Sequence, residues 1–307
     1  MRAGDDRWFK VLPPVLLCAL LWGSAFPLIK SIYQIWERQG VQPGLADYWW
    51  LAGVRFTLAG LALLMVAKNP WAEIKATDKR RLLGFTLTQT FGQYLIFYVA
   101  LSVSSGALAG LLSSLGSFWW IVLAPLIGGA PWPLRAQWAA IAIGAVGVTL
   151  AAAAPGTGAG NPWLGTLLLA ASTGLGTVGV IQFGKLRATI GARAATGFSL
   201  FIGGVGLLAM GAPAFPRAAE LMPPSAMAIT AWLAFVSAFA FSLWNHLSTL
   251  HPVPLLASYR FLIPIVAMTG SLAILGEKPG WGLITGGVLV IGSLLVAQRY
   301  SRAVRPI

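Results

Sequence analysis

The sequence predicts an all-α membrane protein of ten transmembrane helices, arranged as two inverted five-helix repeats. Three observations carry this expectation. Of the 307 residues, 57% are hydrophobic and 9% charged, against about 25% charged in an average soluble domain. A soluble chain of this length needs far more charge to cover its surface. The apolar residues also fall in long runs, and about twenty residues rising about 1.5 Å each cross a hydrocarbon core about 30 Å thick. Finally, ten such runs divide five and five, and an odd-numbered unit duplicated in tandem inserts its second copy upside down.

The spans are expected at 11–34, 47–67, 82–101, 106–127, 136–153, 163–184, 195–212, 226–248, 253–275 and 281–298. Arg2, Arg7 and Lys10 precede the first run as in a signal peptide. That run continues to about Gln34, too long for a signal sequence, so it reads as a retained span. The joins carry turn chemistry: Gln42-Pro43-Gly44, Asn69-Pro70, Ala130-Pro131-Trp132-Pro133, Pro155-Gly156, Pro213, Pro223-Pro224 and Gly276-Glu277-Lys278-Pro279-Gly280. Residues 1–154 form the first expected repeat and residues 155–307 the second. Helices satisfy their own backbone groups inside lipid, which makes a helix bundle the architecture for these runs. The single cysteine, Cys18, lies in the first span and has no internal disulfide partner.

The net charge of +13 invites a nucleic-acid reading, which needs basic residues clustered on one face. Here the positive residues are scattered between apolar runs, so no nucleic-acid partner is expected and topology explains them. With the N-terminus in the cytoplasm, fifteen of the 21 Lys and Arg residues fall inside. They include Lys68, Lys75, Lys79, Arg80, Arg81, Arg135, Lys185, Arg187, Arg193 and Arg299, together with the terminal Arg2, Arg7, Lys10, Arg302 and Arg305. Only Arg38, Arg217 and Lys278 fall outside, and Lys30, Arg55 and Arg260 lie within spans. The positive-inside rule then places both termini in the cytoplasm. A shift of 146 residues superposes the second span on the seventh and the fourth on the ninth, pairing Gly60 with Gly206, Leu61 with Leu207, Leu101 with Leu247 and Ser102 with Ser248. Inverted repeats with a site at their interface are a transporter device, because rocking one against the other alternates access.

The intramembrane polar residues are the candidate substrate-binding set: Arg260, Tyr259, Trp22, Gln89, Gln93, Tyr94, Asn245 and Arg55. Arg260 comes about seven residues into the ninth span, about 10 Å from its end. A charge at that depth costs roughly 3 kcal/mol or more and marks a functional site by default; the alternative is a side chain that snorkels to the interface. No Asp or Glu lies well inside any span, so the polypeptide supplies Arg260 with no acidic partner and leaves room for an anionic group on a substrate. Arg55 lies about eight residues into the second span and either binds directly or ties helices together. Gln89 and Gln93 are four apart and share a helix face with Tyr94. Buried amides need partners, so they either bond neighbouring helices or line a wet cavity. Trp22 lies too deep for an interfacial belt, where most of the fourteen tryptophans are expected, and reads as cavity lining. Asn245 and Tyr259 accompany these groups near the ends of the eighth and ninth spans.

Other motifs carry less. His246 and His251 are five apart, poor spacing for a metal on one helical face, so no metal site and no cofactor is expected. The run Gly174-Leu175-Gly176-Thr177-Val178-Gly179 matches a dinucleotide fingerprint only superficially, since it lies inside a span with no strand before it. No phosphate-loop run of Gly-x-x-x-x-Gly-Lys-Ser/Thr exists, which argues against nucleotide hydrolysis. An intramembrane enzyme needs an acid, base, nucleophile or metal among the spans, and the sequence offers no buried carboxylate; no catalytic residue is assigned. The repeated Gly and Ala, as in Gly203-Gly204-Val205-Gly206, read as close helix packing.

The chain resembles the EamA-like branch of the drug/metabolite transporter superfamily. The residues that carry the resemblance are Trp22-Gly23-Ser24-Ala25-Phe26 with Lys30, Gly53-Val54-Arg55-Phe56, and Tyr98-Val99-Ala100-Leu101 in the first half. The second half adds Phe261-Leu262-Ile263-Pro264, Leu275-Gly276-Glu277 and the glycines Gly282, Gly286-Gly287 and Gly292. The resemblance implies a ten-helix bacterial inner-membrane transporter, an exporter of amino acids or other small metabolites, with a cavity between its halves and Lys30 at a gate. The first half departs from the pattern, with Ser117-Phe118 and Ala130-Pro131 where the proline and Gly-Glu recur in the family. The expected partners are a small-molecule substrate carrying a carboxylate, membrane lipids and, as an open case, a second copy of the chain. A lipid-headgroup translocator or a membrane-embedded enzyme are the alternatives.

Overall fold

Long apolar runs punctuated by proline and glycine produce helices along the whole chain. The structure is a computed structural model that describes the backbone of residues 5–154, 160–251, 256 and 259–303, and the side chains between residues 11 and 300 within those ranges. Of the sequence features above, Pro155-Gly156, Val253 and the side chains of Arg2, Arg7, Lys10, Arg302 and Arg305 lie outside the described residues.

The described elements are all helical. α1 (Asp5–Arg38) and α2 (Leu45–Val66) are followed by a short α3 (Pro70–Ala76). α4 (Lys79–Thr86), a π-helical turn at Leu87–Phe91 and α5 (Gly92–Ser102) run on from one another. Then come α6 (Gly106–Leu112), α7 (Leu115–Gly128), α8 (Arg135–Ala153), α9 (Pro162–Leu186) and α10 (Ala192–Met210). A 3₁₀ turn (Ala212–Arg217) and α11 (Ala218–Leu221) lead into α12 (Pro224–Leu250), α13 (Leu262–Leu275) and α14 (Trp281–Ala303). Eight stretches are long and apolar enough to cross a membrane, with α6 and α7 counting as one, Gly106–Gly128. The chain is an all-α, multi-pass membrane protein.

Two expected spans are not among those eight. The third, 82–101, is interrupted by the π turn. The ninth, placed at 253–275, contributes the helix Leu262–Leu275, 14 residues long, preceded by a turn at residues 259–261. This corrects the placement of Arg260: it stands in the turn leading into α13, not two turns inside a helix. Successive turn bonds, Leu262 N–H to Tyr259 O at 3.0 Å and Ile263 N–H to Arg260 O at 3.0 Å, start the helix there. Pro264 follows in the first turn, where its missing N–H costs nothing.

α7 and α13 end alike. Gly129 and Gly276 adopt left-handed φ values of 71° and 66°, which glycine reaches without steric penalty and which close a helix C-terminus. The corner in the first half is therefore made by Gly129 as well as by the prolines after it.

The most extensive pairings join α2 to α10, α8 to α14 and α1 to α13. Small residues let these backbones touch. A Cβ on Gly60 would collide with the Phe201 backbone, one on Gly204 with the Thr57 backbone, and one on Gly53 would stand 2.6 Å from Leu208 N. Gly147 and Gly286 do the same for α8 and α14. Apolar side chains gain little from each other inside lipid, so dispersion between close backbones holds such pairs. The tryptophans are divided: Trp71, Trp132, Trp163 and Trp281 are exposed, but Trp36, Trp50 and Trp244 are buried. Trp36 donates to Leu221 O at 2.8 Å and Trp49 to Leu95 O at 2.8 Å. These two indole N–H groups bridge helices.

Candidate functional site

Helices from both halves converge on a cavity of about 100 Å³, room for several waters or a small ligand. α1 contributes Trp22, Ala25 and Phe26, and α2 contributes Arg55. The π turn and α5 contribute Gln89, Gln93, Tyr94 and Phe97; α9 contributes Thr173, Gly176 and Val180. α12 supplies Phe241 and Trp244, and the start of α13 supplies Arg260 and Ile263. Ser113, after α6, completes the wall.

Arg260 is the exceptional group. Among the described residues its side chain makes no hydrogen bond and no ion pair. Its guanidinium lies 5.7 Å from the centre of the Trp244 ring, a cation–π distance. Gly116 makes space for it: a Cβ there would sit 3.2 Å from Arg260 Nη2. The group is half-buried, and the surface it exposes faces the cavity. It also stands at the N-terminal end of α13, where the helix dipole adds to its positive potential. Among the described residues no Asp or Glu lines the cavity to offset this.

Arg55 is a different case. It is 2% exposed; Nε donates to Ser237 Oγ at 2.8 Å and Leu233 O at 3.2 Å, and Nη1 donates to the Tyr98 hydroxyl at 3.1 Å. Its charge centre lies 4.8 Å from the Phe56 ring. It reaches the cavity wall while binding α2 to α12 and α5. Tyr94 lies within electrostatic reach of both guanidiniums.

The π turn explains how the third span presents its amides. The extra residue per turn shifts the register, a distortion found at functional sites. Gln89 and Gln93 both reach the cavity, and neither carboxamide is hydrogen-bonded to a described residue. Their Oε1 atoms are buried and unpaired, packed against α9 where glycines leave space. A Cβ on Gly176 would stand 2.5 Å from Gln93 Oε1, and one on Gly179 would strike Gln89. The glycine run in α9 thus makes room for the amides.

Aromatic rings form the rest of the wall. Trp22 meets Phe241 edge-on at 5.2 Å and Trp244 at 5.4 Å, and its indole N–H is buried without a partner. Tyr94 packs against Phe56 at 4.2 Å and Phe97 at 5.5 Å.

Of the eight residues singled out in the sequence, Arg260, Trp22, Gln89, Gln93, Tyr94 and Arg55 lie in the cavity wall. Asn245 and Tyr259 do not. Asn245 is buried and donates to Thr196 Oγ1 at 2.7 Å, tying α12 to α10. Tyr259 packs with Val11, Val15, Cys18 and Trp244 behind the wall. The sequence reading passed over Phe241 and Trp244. They lie three apart on α12, on the face that carries Ser237, and that spacing was the available signal. Lys30 donates to Leu101 O at 3.3 Å and stands outside this wall. Among the described residues no three His, Cys, Asp or Glu side chains come together to hold a metal ion.

No family model and no curated protein matches the chain. A solved structure described only as "Crystal structure of protein" is similar to it, with a TM-score of 0.57 and 18% identity, over 94% of this chain and 99% of that one. At that identity the likeness shows the fold alone, an all-α multi-pass membrane protein.

Proposed function

We propose that the chain is a secondary transporter that exports small metabolites, amino acids or related compounds, across the inner membrane of a bacterial-type cell by alternating access. In this reading it is an EamA-like member of the drug/metabolite transporter superfamily. It has ten spans in two inverted repeats, both termini in the cytoplasm, and no chemistry performed on its cargo. The observation that carries the reading is Arg260: a guanidinium without a counter-charge among the described residues, held in a cavity between helices of both halves. Its complement is a carboxylate on the substrate.

Two further observations support the architecture. Counting α4, the π turn and α5 as the third span, and α13 as the ninth, makes ten. Advancing each span by five then maps the helix pairings onto one another. The third span packs on the sixth as the eighth packs on the first, and the second packs on the eighth as the seventh packs on the third. The two ends of the bundle are also closed by different contacts. At one end Lys185 donates to Ile127 O and Arg187 Nη1 to Ser248 O, each at 2.8 Å, on helix C-termini. At the other, the Glu277 carboxylate accepts the N–H groups of Gly106 and Ala107 at 2.7 and 2.9 Å. Breaking one set while keeping the other exposes the cavity to one side at a time.

The test is counterflow in proteoliposomes of the intact protein and of Arg260→Ala, screened over small carboxylates and amino acids. Substrate-dependent flux that Arg260→Ala abolishes is expected. Flux and affinity unchanged by Arg260→Ala would remove the site, and no flux for any solute would remove the transporter reading.

A further inference from the structure

The groups facing the cavity divide unequally between donors and acceptors, and that imbalance selects a charge type. Resting on the transport reading above, we infer that the cavity takes monoanionic carboxylates with an aromatic or compact apolar body and discriminates against the zwitterionic amino acids of the same shape.

One free guanidinium provides the anion site. Arg260 offers five N–H donors in a planar fork, and among the described residues none is used by the protein. Arg55 adds positive charge but its hydrogen bonds go to Ser237, Leu233 and Tyr98, so the site accommodates one carboxylate rather than two. The neutral polar groups are also turned to donate. Each glutamine buries its Oε1 against an α9 glycine, which leaves the amino end of the carboxamide for the cavity.

An ammonium group finds the opposite. Its ionic partner is a carboxylate, and among the described residues none lines the cavity; the ring faces offer it only cation–π contact. The hydroxyls of Ser113 and Thr173 donate to the Gly110 and Leu169 carbonyls of their own helices, so each presents a neutral lone pair at most. Any ammonium there lies in the positive potential of Arg55 and Arg260, in a water-poor interior where like charges repel strongly. The rings of Trp22, Trp244, Phe241 and Phe97 match a flat apolar body, with the carboxylate at Arg260 beside Trp244.

The experiment uses the intact protein in lipid nanodiscs and three solutes of one shape: 3-phenylpropanoate (anion), phenylalanine (zwitterion) and 2-phenylethylamine (cation). Binding is read by titration calorimetry, and flux by counterflow in proteoliposomes. Phenylpropanoate is expected to bind at least about tenfold more tightly than phenylalanine, with no binding of the amine. Arg260→Gln should erase the preference, and Arg260→Lys should retain part of it. Gly116→Asp, which sets a carboxylate beside Arg260, should abolish anion binding even where Arg260→Gln fails to fold. Equal binding of anion and zwitterion, or no binding of the anion at millimolar concentration, would overturn the inference. Equal affinity with phenylalanine flux leaves the transporter reading standing; tight anion binding without flux of any solute leaves the anion site standing and removes transport.

Discussion

The Glu277 carboxylate accepts the backbone N–H of Gly106 at 2.7 Å across 171 positions of sequence. The residue belongs to the turn after α13, and it caps the first turn of α6 together with the Ser105 hydroxyl, which accepts from Leu108 N–H at 3.1 Å. The helix N-terminus presents unpaired donors and a positive dipole end, so an anion is the natural cap. Lys30 lies within electrostatic reach of the same carboxylate. One side chain therefore holds the first half of the chain to the second at one end of the bundle.

Glu277→Gln keeps the shape, removes the charge and replaces one acceptor oxygen by an NH2 donor that faces a backbone N–H, so one hydrogen bond weakens and one is lost, at a cost of about 2–3 kcal/mol. At about 2–4 °C per kcal/mol, the thermal midpoint falls by several degrees. Differential scanning fluorimetry in detergent measures it. A midpoint that stays put in both Glu277→Gln and Glu277→Ala would show that the cap contributes nothing.

The two cavity arginines should respond oppositely to removal. Arg55→Met takes the guanidinium donors from Tyr98 and from Ser237, which keeps only its bond to Leu233 O, and deletes charge-assisted bonds of about 1.5–3 kcal/mol each, so the protein becomes less stable. Arg260→Met removes a cation whose charge no described residue neutralises, and such a cation is costly to hold in the interior. Its stability should stay level or rise while binding is lost, the trade-off expected of a functional group. Midpoints and ligand affinities of the two variants, measured side by side, decide the matter. An equal loss of stability in both would mean that Arg260 is a structural tie like Arg55.

Glycine in α2 and α10 is a packing requirement. Gly60→Ala and Gly204→Ala each drive a methyl group into the opposing backbone, which has no rotamer with which to yield. Overpacking of this kind costs about 1–3 kcal/mol. Gly184→Ala, on α9 with nothing within 4 Å of its Cβ position, should be neutral or slightly stabilising, since alanine favours helix by about 1 kcal/mol over glycine. Folded yield and thermal midpoint for the three variants test this; a neutral Gly60→Ala would contradict the close approach of α2 and α10.

Composition and run length alone determined the solvent and the class. A chain with 57% hydrophobic and 9% charged residues, broken by proline and glycine, has no stable form except helices in a bilayer. Polar residues inside such runs are few and expensive, which is why Arg260, Arg55, Gln89, Gln93, Tyr94 and Trp22 stood out before any coordinates. Tertiary structure decided what periodicity cannot express. The π turn and the turn at residues 259–261 before α13 are local departures from the 3.6-residue repeat, so the amide presentation and the place of Arg260 in a turn were hidden. Phe241 and Trp244 looked like ordinary core until α12 turned that face toward Trp22. Only packing distinguished the arginine whose bonds are spoken for from the one left open, because a hydrogen-bond partner 178 or 182 residues away, as Leu233 and Ser237 are from Arg55, leaves no trace in local sequence.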